Sequence, residues 1–163
     1  MLGLIGGGYW GKNLIRVFNE IGTLKTICEI DDNLIQTYKT NYPDINITKS
    51  FDTMLADPEI TMICVSLPAQ MHYEYGLRAL NANKHLYVEK PITLHLGEAI
   101  ELQKVATEKN LILMVGHLLH YHEAIKQIKN ILSSYQLGHI KYITSNRKSH
   151  GIYRTEENVL WSF

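Results

Sequence analysis

Residues 2–11 read LGLIGGGYWG, an apolar run that breaks into three consecutive glycines. An amphipathic stretch follows at once, with Leu14, Ile15, Phe18 and Ile21 on one helical face. A strand that turns this sharply into a helix restricts the chain to folds built on a strand–loop–helix unit. Gly6, Gly8 and Gly11 satisfy G-x-G-x-x-G, which carries weight only in that context. The first glycine permits the tight turn, the second lets backbone approach a pyrophosphate, and the third lets the helix pack on the strand. N–H groups at the helix start attract phosphate charge. Tyr9 and Trp10 lie inside the loop and count with Gly6, Gly8 and Gly11 as candidate cofactor contacts. The competing reading is a tight turn without a ligand.

Further apolar runs alternate with amphipathic stretches, which predicts a parallel sheet covered by helices. Strands are expected at 2–6, 24–30, 61–67, 85–89 and 111–116. Helices are expected around Leu34 and Tyr38, from Gly76 to Leu80 and from Leu96 to Ala106. A short helix is expected at 52–56 with Asp52 as its N-cap. Right-handed crossovers make this a Rossmann-type doubly wound α/β sheet ending near Gly116. Residues 1–117 form the dinucleotide-binding domain in this reading. After His117 the pattern changes to a helix carrying Tyr121, Ile125, Ile128 and Leu132, then to a strand in HIKYITSNRK. One helix and one strand cannot bury their own apolar faces, so 118–163 reads as the start of an incomplete second α/β domain. The chain reads as interrupted at Phe163.

Sixteen basic residues balance sixteen acidic ones, which gives no field to draw the chain to nucleic acid or membrane. Hydrophobic residues make up 45% and charged residues 20%, a globular composition. Cys28 and Cys64 each fall within an apolar run and read as reduced, buried thiols. No run reaches transmembrane length and no signal peptide is evident. The expectation is a soluble cytoplasmic protein.

In an open parallel sheet, ligands bind beyond the carboxyl ends of the strands. Glu29, eighteen residues after Gly11, ends the second strand, where a carboxylate can hydrogen-bond a ribose diol and repel a 2′-phosphate. That favours NAD over NADP. Asp31 or Asp32 is expected to cap the next helix. Ser66 and Pro68 end another strand, and His117 a further one. The run HLYVEKPITL, residues 85–94, ends in Glu89, Lys90 and Pro91. A lysine at the end of a buried strand can take a hydroxyl proton as hydride leaves, provided burial and nearby positive charge disfavour its ammonium. Glu89 would counterbalance and orient it. A surface Lys–Glu pair is the plainer alternative. His117, His120 and His122 are close in sequence, but no cysteine or carboxylate set completes a metal site, and none is expected.

Taken in order, G-x-G-x-x-G, the segment Ser66, Pro68 and His72, E-K-P, and V-G-H resemble the Gfo/Idh/MocA oxidoreductases over nearly the whole chain. Within that family, YWG, GHLLHYHEA, GHIKYITSNR and ENVLWSF are most similar to nucleotide-sugar dehydrogenases related to UDP-N-acetylglucosaminuronate 3-dehydrogenase. The resemblance implies NAD-dependent oxidation of a sugar 3-hydroxyl in surface-polysaccharide biosynthesis. It implies Lys90 as the catalytic lysine, with a cis Lys90–Pro91 bond. Ser66, Pro68, His72, Glu89, Lys90 and His117 would line the cofactor cleft, and Lys90, His117, Asn146 and Arg147 would face the substrate. It also implies a homo-oligomer and a further catalytic segment beyond Phe163, so that this chain would be inactive alone. A free-sugar or inositol dehydrogenase, or a non-catalytic nucleotide-binding module, remains the alternative.

Overall fold

The computed structural model describes residues 1–134 and 138–146. Six parallel strands form one sheet: β1 (Leu2–Ile5), β2 (Leu24–Cys28), β3 (Asn46–Thr48), β4 (Met62–Val65), β5 (His85–Val88) and β6 (Leu113–Val115). Their order is β3-β2-β1-β4-β5-β6. The connections are α1 (Gly11–Glu20), α2 (Asp32–Asn41), α3 (Phe51–Ala56), α4 (His72–Asn81) and α5 (Leu96–Glu108), and α6 (Glu123–Ser133) follows β6. This is the doubly wound Rossmann arrangement. The chain runs outward from β1 to β3, then crosses back to β4, so the order reverses between β1 and β4.

Helices cover both faces because neighbouring strand residues point to opposite sides. Leu4, Cys64 and Tyr87 join one buried cluster with Ile15 and Tyr38. Ile5, Val65 and Val88 join the other, with Ala79, Leu80 and Leu102. Both faces of β1, β4 and β5 are therefore apolar, which is why these runs read as continuous rather than alternating. Cys28 and Cys64 are buried free thiols. Burial pushes the Cys28 thiol up to about 11 and raises that of Cys64 as well.

The sequence reading differs from this fold in three places. β3 was not expected, because a three-residue edge strand with an exposed Asn46 leaves little apolar signal. The cap of α3 is Ser50, whose hydroxyl accepts from the Thr53 N–H at 3.2 Å, while Asp52 pairs with Arg78 of α4. Ser50 precedes a buried Phe51, and the helix begins one residue earlier than the acidic position suggested. The strand expected after Gly138 is absent from its described part: residues 138–146 carry no strand pairing, and Ile140, Tyr142 and Ile143 are exposed. Alternation supplies apolar faces, but a strand also needs a partner for its ladder, and residues 138–146 pair with none of the six strands. Among the described residues no helix is long and apolar enough to cross a membrane.

Candidate cofactor and active site

β1 delivers Gly6 into a left-handed conformation, with φ of 90°. A Cβ there would stand 2.5 Å from the Ser66 carbonyl oxygen, so the turn can pass β4 only as glycine. At Gly8 an added Cβ would meet nothing within 4 Å. The loop backbone there faces open space at the start of α1, the surface a pyrophosphate needs. The residues present therefore fit a dinucleotide.

The peptide between these two glycines is clamped from both sides. The Gly7 N–H donates to Glu29 Oε2 at 2.8 Å, and the Tyr38 hydroxyl donates to the Gly7 carbonyl. Glu29 Oε1 accepts further from the N–H groups of Ile30 and Asp31, at 2.7 and 3.0 Å. Glu29 is buried. It was expected to present its carboxylate to a ribose; instead three backbone donors turn it inward, and it braces the glycine loop. The strand-end spacing placed the residue correctly but carried no information on its rotamer. Asp31 caps α2, accepting from the Asn33 and Leu34 N–H groups. Tyr38 had read only as a core position of α2. Burial, then the Glu29 carboxylate, holds its phenol above the usual tyrosine range.

On the other side of the switch point, β5 ends in a second network. Glu89 is buried, and its Oε1 accepts from Trp10 Nε1 at 2.9 Å and from the Tyr87 hydroxyl at 3.0 Å. Its Oε2 accepts from the Lys90 backbone N–H at 3.3 Å. Gly116, at the end of β6, leaves room for it, since a Cβ there would lie 2.7 Å from both Glu89 Oε1 and the Tyr87 hydroxyl. Burial, reinforced by the adjoining carboxylate, pushes the Tyr87 phenol up. Trp10 belongs to the glycine loop, so its indole N–H ties that loop directly to the E-K-P turn. Tyr87 was not singled out in the sequence; its place two residues before Glu89 on one strand, hence on the same face, is the available signal. Trp10→Phe removes one donor to a buried carboxylate. It is expected to lower unfolding stability by about 1.5–3 kcal/mol, read as a lower denaturant midpoint at unchanged slope.

Lys90 is exposed beside this network and its bond to Pro91 is cis, as expected. The burial anticipated for its ammonium is not supplied by the described residues. Short strand ends leave the core, and the described residues do not bury this one. Ser66 is half-buried under the glycine loop, and Pro68 is exposed at the head of a 3-10 turn, Ala69–Met71. His117 is exposed at the end of β6, its ring 6.0 Å from that of His120. His122 caps α6. Among the described residues no group of three or more His, Cys, Asp or Glu is placed to hold a metal ion. His72 departs from its expected place in the cleft lining: it is 1% exposed and contacts only protein at its ring nitrogens. As the first residue of α4 it points inward, under the E-K-P turn. Asn146 is exposed, and Arg147 lies outside the described residues.

Residues 1–117 match the family model of the Gfo/Idh/MocA oxidoreductases, described as an NAD-binding Rossmann fold. Scyllo-inositol 2-dehydrogenase (NADP(+)) of Bacillus subtilis is 26% identical over 160 residues, covering 98% of this chain and 44% of that protein. The structure of UDP-N-acetylglucosamine 3-dehydrogenase from Acidithiobacillus ferrooxidans superposes with a TM-score of 0.72 at 26% identity, covering 79% of this chain and 43% of that one. An enzyme of gentamicin A biosynthesis, solved in complex with NAD, has the same fold, with a TM-score of 0.77 at 22% identity over 83% of this chain and 39% of its own. The chain thus spans less than half the length of these relatives.

Proposed function

Because the chain belongs to the Gfo/Idh/MocA oxidoreductase family, whose matched region is an NAD-binding Rossmann fold, we propose that it serves NAD-dependent oxidation of a sugar hydroxyl. The substrate in this reading is a nucleotide-linked sugar, a UDP-N-acetyl-hexosaminuronate oxidised at its 3-hydroxyl. The observation that carries the proposal is the Trp10–Glu89 hydrogen bond, which sets Lys90 beside the loop that holds the cofactor. Bound NAD supplies the hydride acceptor. The glycine loop orients the dinucleotide through Gly6, Gly8 and Gly11, and with Glu29 turned inward it is the exposed Asp31 and Asp32, just beyond β2, whose charge would disfavour a 2′-phosphate. Lys90 Nζ takes the hydroxyl proton as the carbon–hydrogen bond gives up hydride, leaving a ketone and an ammonium. Tyr9, Ser66, Pro68 and His117 would line the cofactor side of the site in this reading. Asn146 and Arg147 would meet the substrate's anionic groups, where a guanidinium suits carboxylate or phosphate.

The likeness to a UDP-sugar 3-dehydrogenase supports the nucleotide-sugar substrate, and the likeness to an inositol dehydrogenase supports a polyol as the second reading. Exposed Leu118, Leu119, Ile128 and Ile131 support self-association through the region after β6. The test, on a polypeptide that continues through a complete second domain, is NADH formation with UDP-N-acetylglucosaminuronate, UDP-N-acetylglucosamine, free sugars and inositols in parallel. Reduction only with the UDP-sugars supports the first reading, reduction only with inositol supports the second, and reduction with neither overturns both.

A further inference from the structure

The ring of His72 lies between two backbone carbonyls. Nδ1 is 2.6 Å from the Pro91 oxygen and Nε2 is 2.7 Å from the Leu67 oxygen. A carbonyl oxygen only accepts, so the ring donates from the nitrogen that carries the proton, and the tautomer sets which of the two carbonyls receives it. At 1% exposure no solvent layer lies between the ring and either acceptor. We infer that His72 is a positioning residue whose buried ring, wedged between the Pro91 and Leu67 carbonyls, fixes the turn from which Lys90 projects.

The clamp spans two strand ends: Leu67 follows β4, and Pro91 follows β5 and Lys90. Pro91 is buried while Lys90 is exposed, so the chain passes from the crevice to the interior across this one residue. Proline fixes φ. Holding its carbonyl therefore holds the backbone that aims the Lys90 side chain. The inference rests on the proposed role of Lys90, but the clamp itself does not.

Two readouts test it. In histidine-labelled protein, nitrogen–proton correlation spectra should show a His72 ring N–H that exchanges slowly with solvent, as a buried hydrogen-bonded donor does. A His72 ring N–H that exchanges as freely as an exposed one would overturn the clamp, and because this is read on the unaltered chain it holds even if variants fail to fold. In the His72→Ala variant, which removes the ring from between the two carbonyls, kcat of a polypeptide that carries a complete second domain is expected to fall about 10- to 100-fold with NAD affinity within about twofold. Parallel loss of kcat and NAD affinity would place His72 on the cofactor and contradict a positioning role. Lys90→Ala separates the two ideas: retained turnover in that variant would remove the role of Lys90 and leave the His72 signature intact.

Discussion

In a polypeptide that carries a complete second domain, Lys90→Ala is expected to lower turnover by about 10²–10⁴-fold, the usual contribution of a positioned acid–base group. NAD affinity should stay within about twofold. The two effects separate because Lys90 projects from the end of β5, whereas the surface that would meet the pyrophosphate is the loop between β1 and α1. Glu89 should keep its indole and phenol donors in the variant, since neither comes from Lys90. Lys90→Arg should be nearly as slow as the alanine variant, since a guanidinium does not release its proton in the working range and cannot serve as a base. Steady-state rates with calorimetric NAD titration of each variant check the prediction. Turnover retained within a few-fold in both variants would remove lysine from the chemistry.

Gly11→Ala is expected to cost both stability and cofactor binding. A Cβ at Gly11 would lie 1.9 Å from the Gly6 carbonyl oxygen and 3.3 Å from Ser66 Oγ. Gly6 cannot yield, because it is itself pressed against the Ser66 carbonyl in a left-handed conformation. The start of α1 must therefore move away from the loop. Overpacking of this kind costs about 1–3 kcal/mol and shifts the melting temperature by a few degrees for a chain of this size. Loss of aligned N–H donors to a phosphate should weaken NAD binding at least about tenfold. Gly8→Ala is the informative contrast. With nothing within 4 Å of its added Cβ, it should leave the melting temperature unchanged and still weaken NAD, because the methyl enters the space where a phosphate would lie. Melting curves and titrations on the pair distinguish a damaged loop from an obstructed one.

The glycine loop, α1 and the E-K-P turn were legible because each demands residue types that few other structures tolerate. Three glycines after an apolar run and a lysine–proline pair ending a strand leave little freedom, and the contacts of Gly6 and Gly11 show why. Side-chain direction at the strand ends was not legible. Glu29 and His72 stand at the positions their spacing implied, yet one braces the loop from inside and the other lies under the E-K-P turn. Whether a carboxylate meets a ribose or three backbone N–H groups depends on the local turn, which spacing does not encode. Lys90 was expected to be buried and is exposed, for the related reason that a short strand end gives no signal of what covers it. β3 escaped because an edge strand of three residues needs no apolar run, and the strand expected after Gly138 failed because alternation alone provides no partner.

The loop of Gly6, Gly8 and Gly11, braced by Glu29 and Tyr38, is the site proposed for NAD. Calorimetric titration of the chain with NAD and, separately, with NADP tests it most directly, after circular dichroism has established that the chain is folded. The account predicts saturable NAD binding, weaker NADP binding, and loss of NAD affinity in Gly8→Ala at unchanged melting temperature. A folded chain that binds neither dinucleotide, or that binds NAD equally well with alanine at position 8, would contradict it.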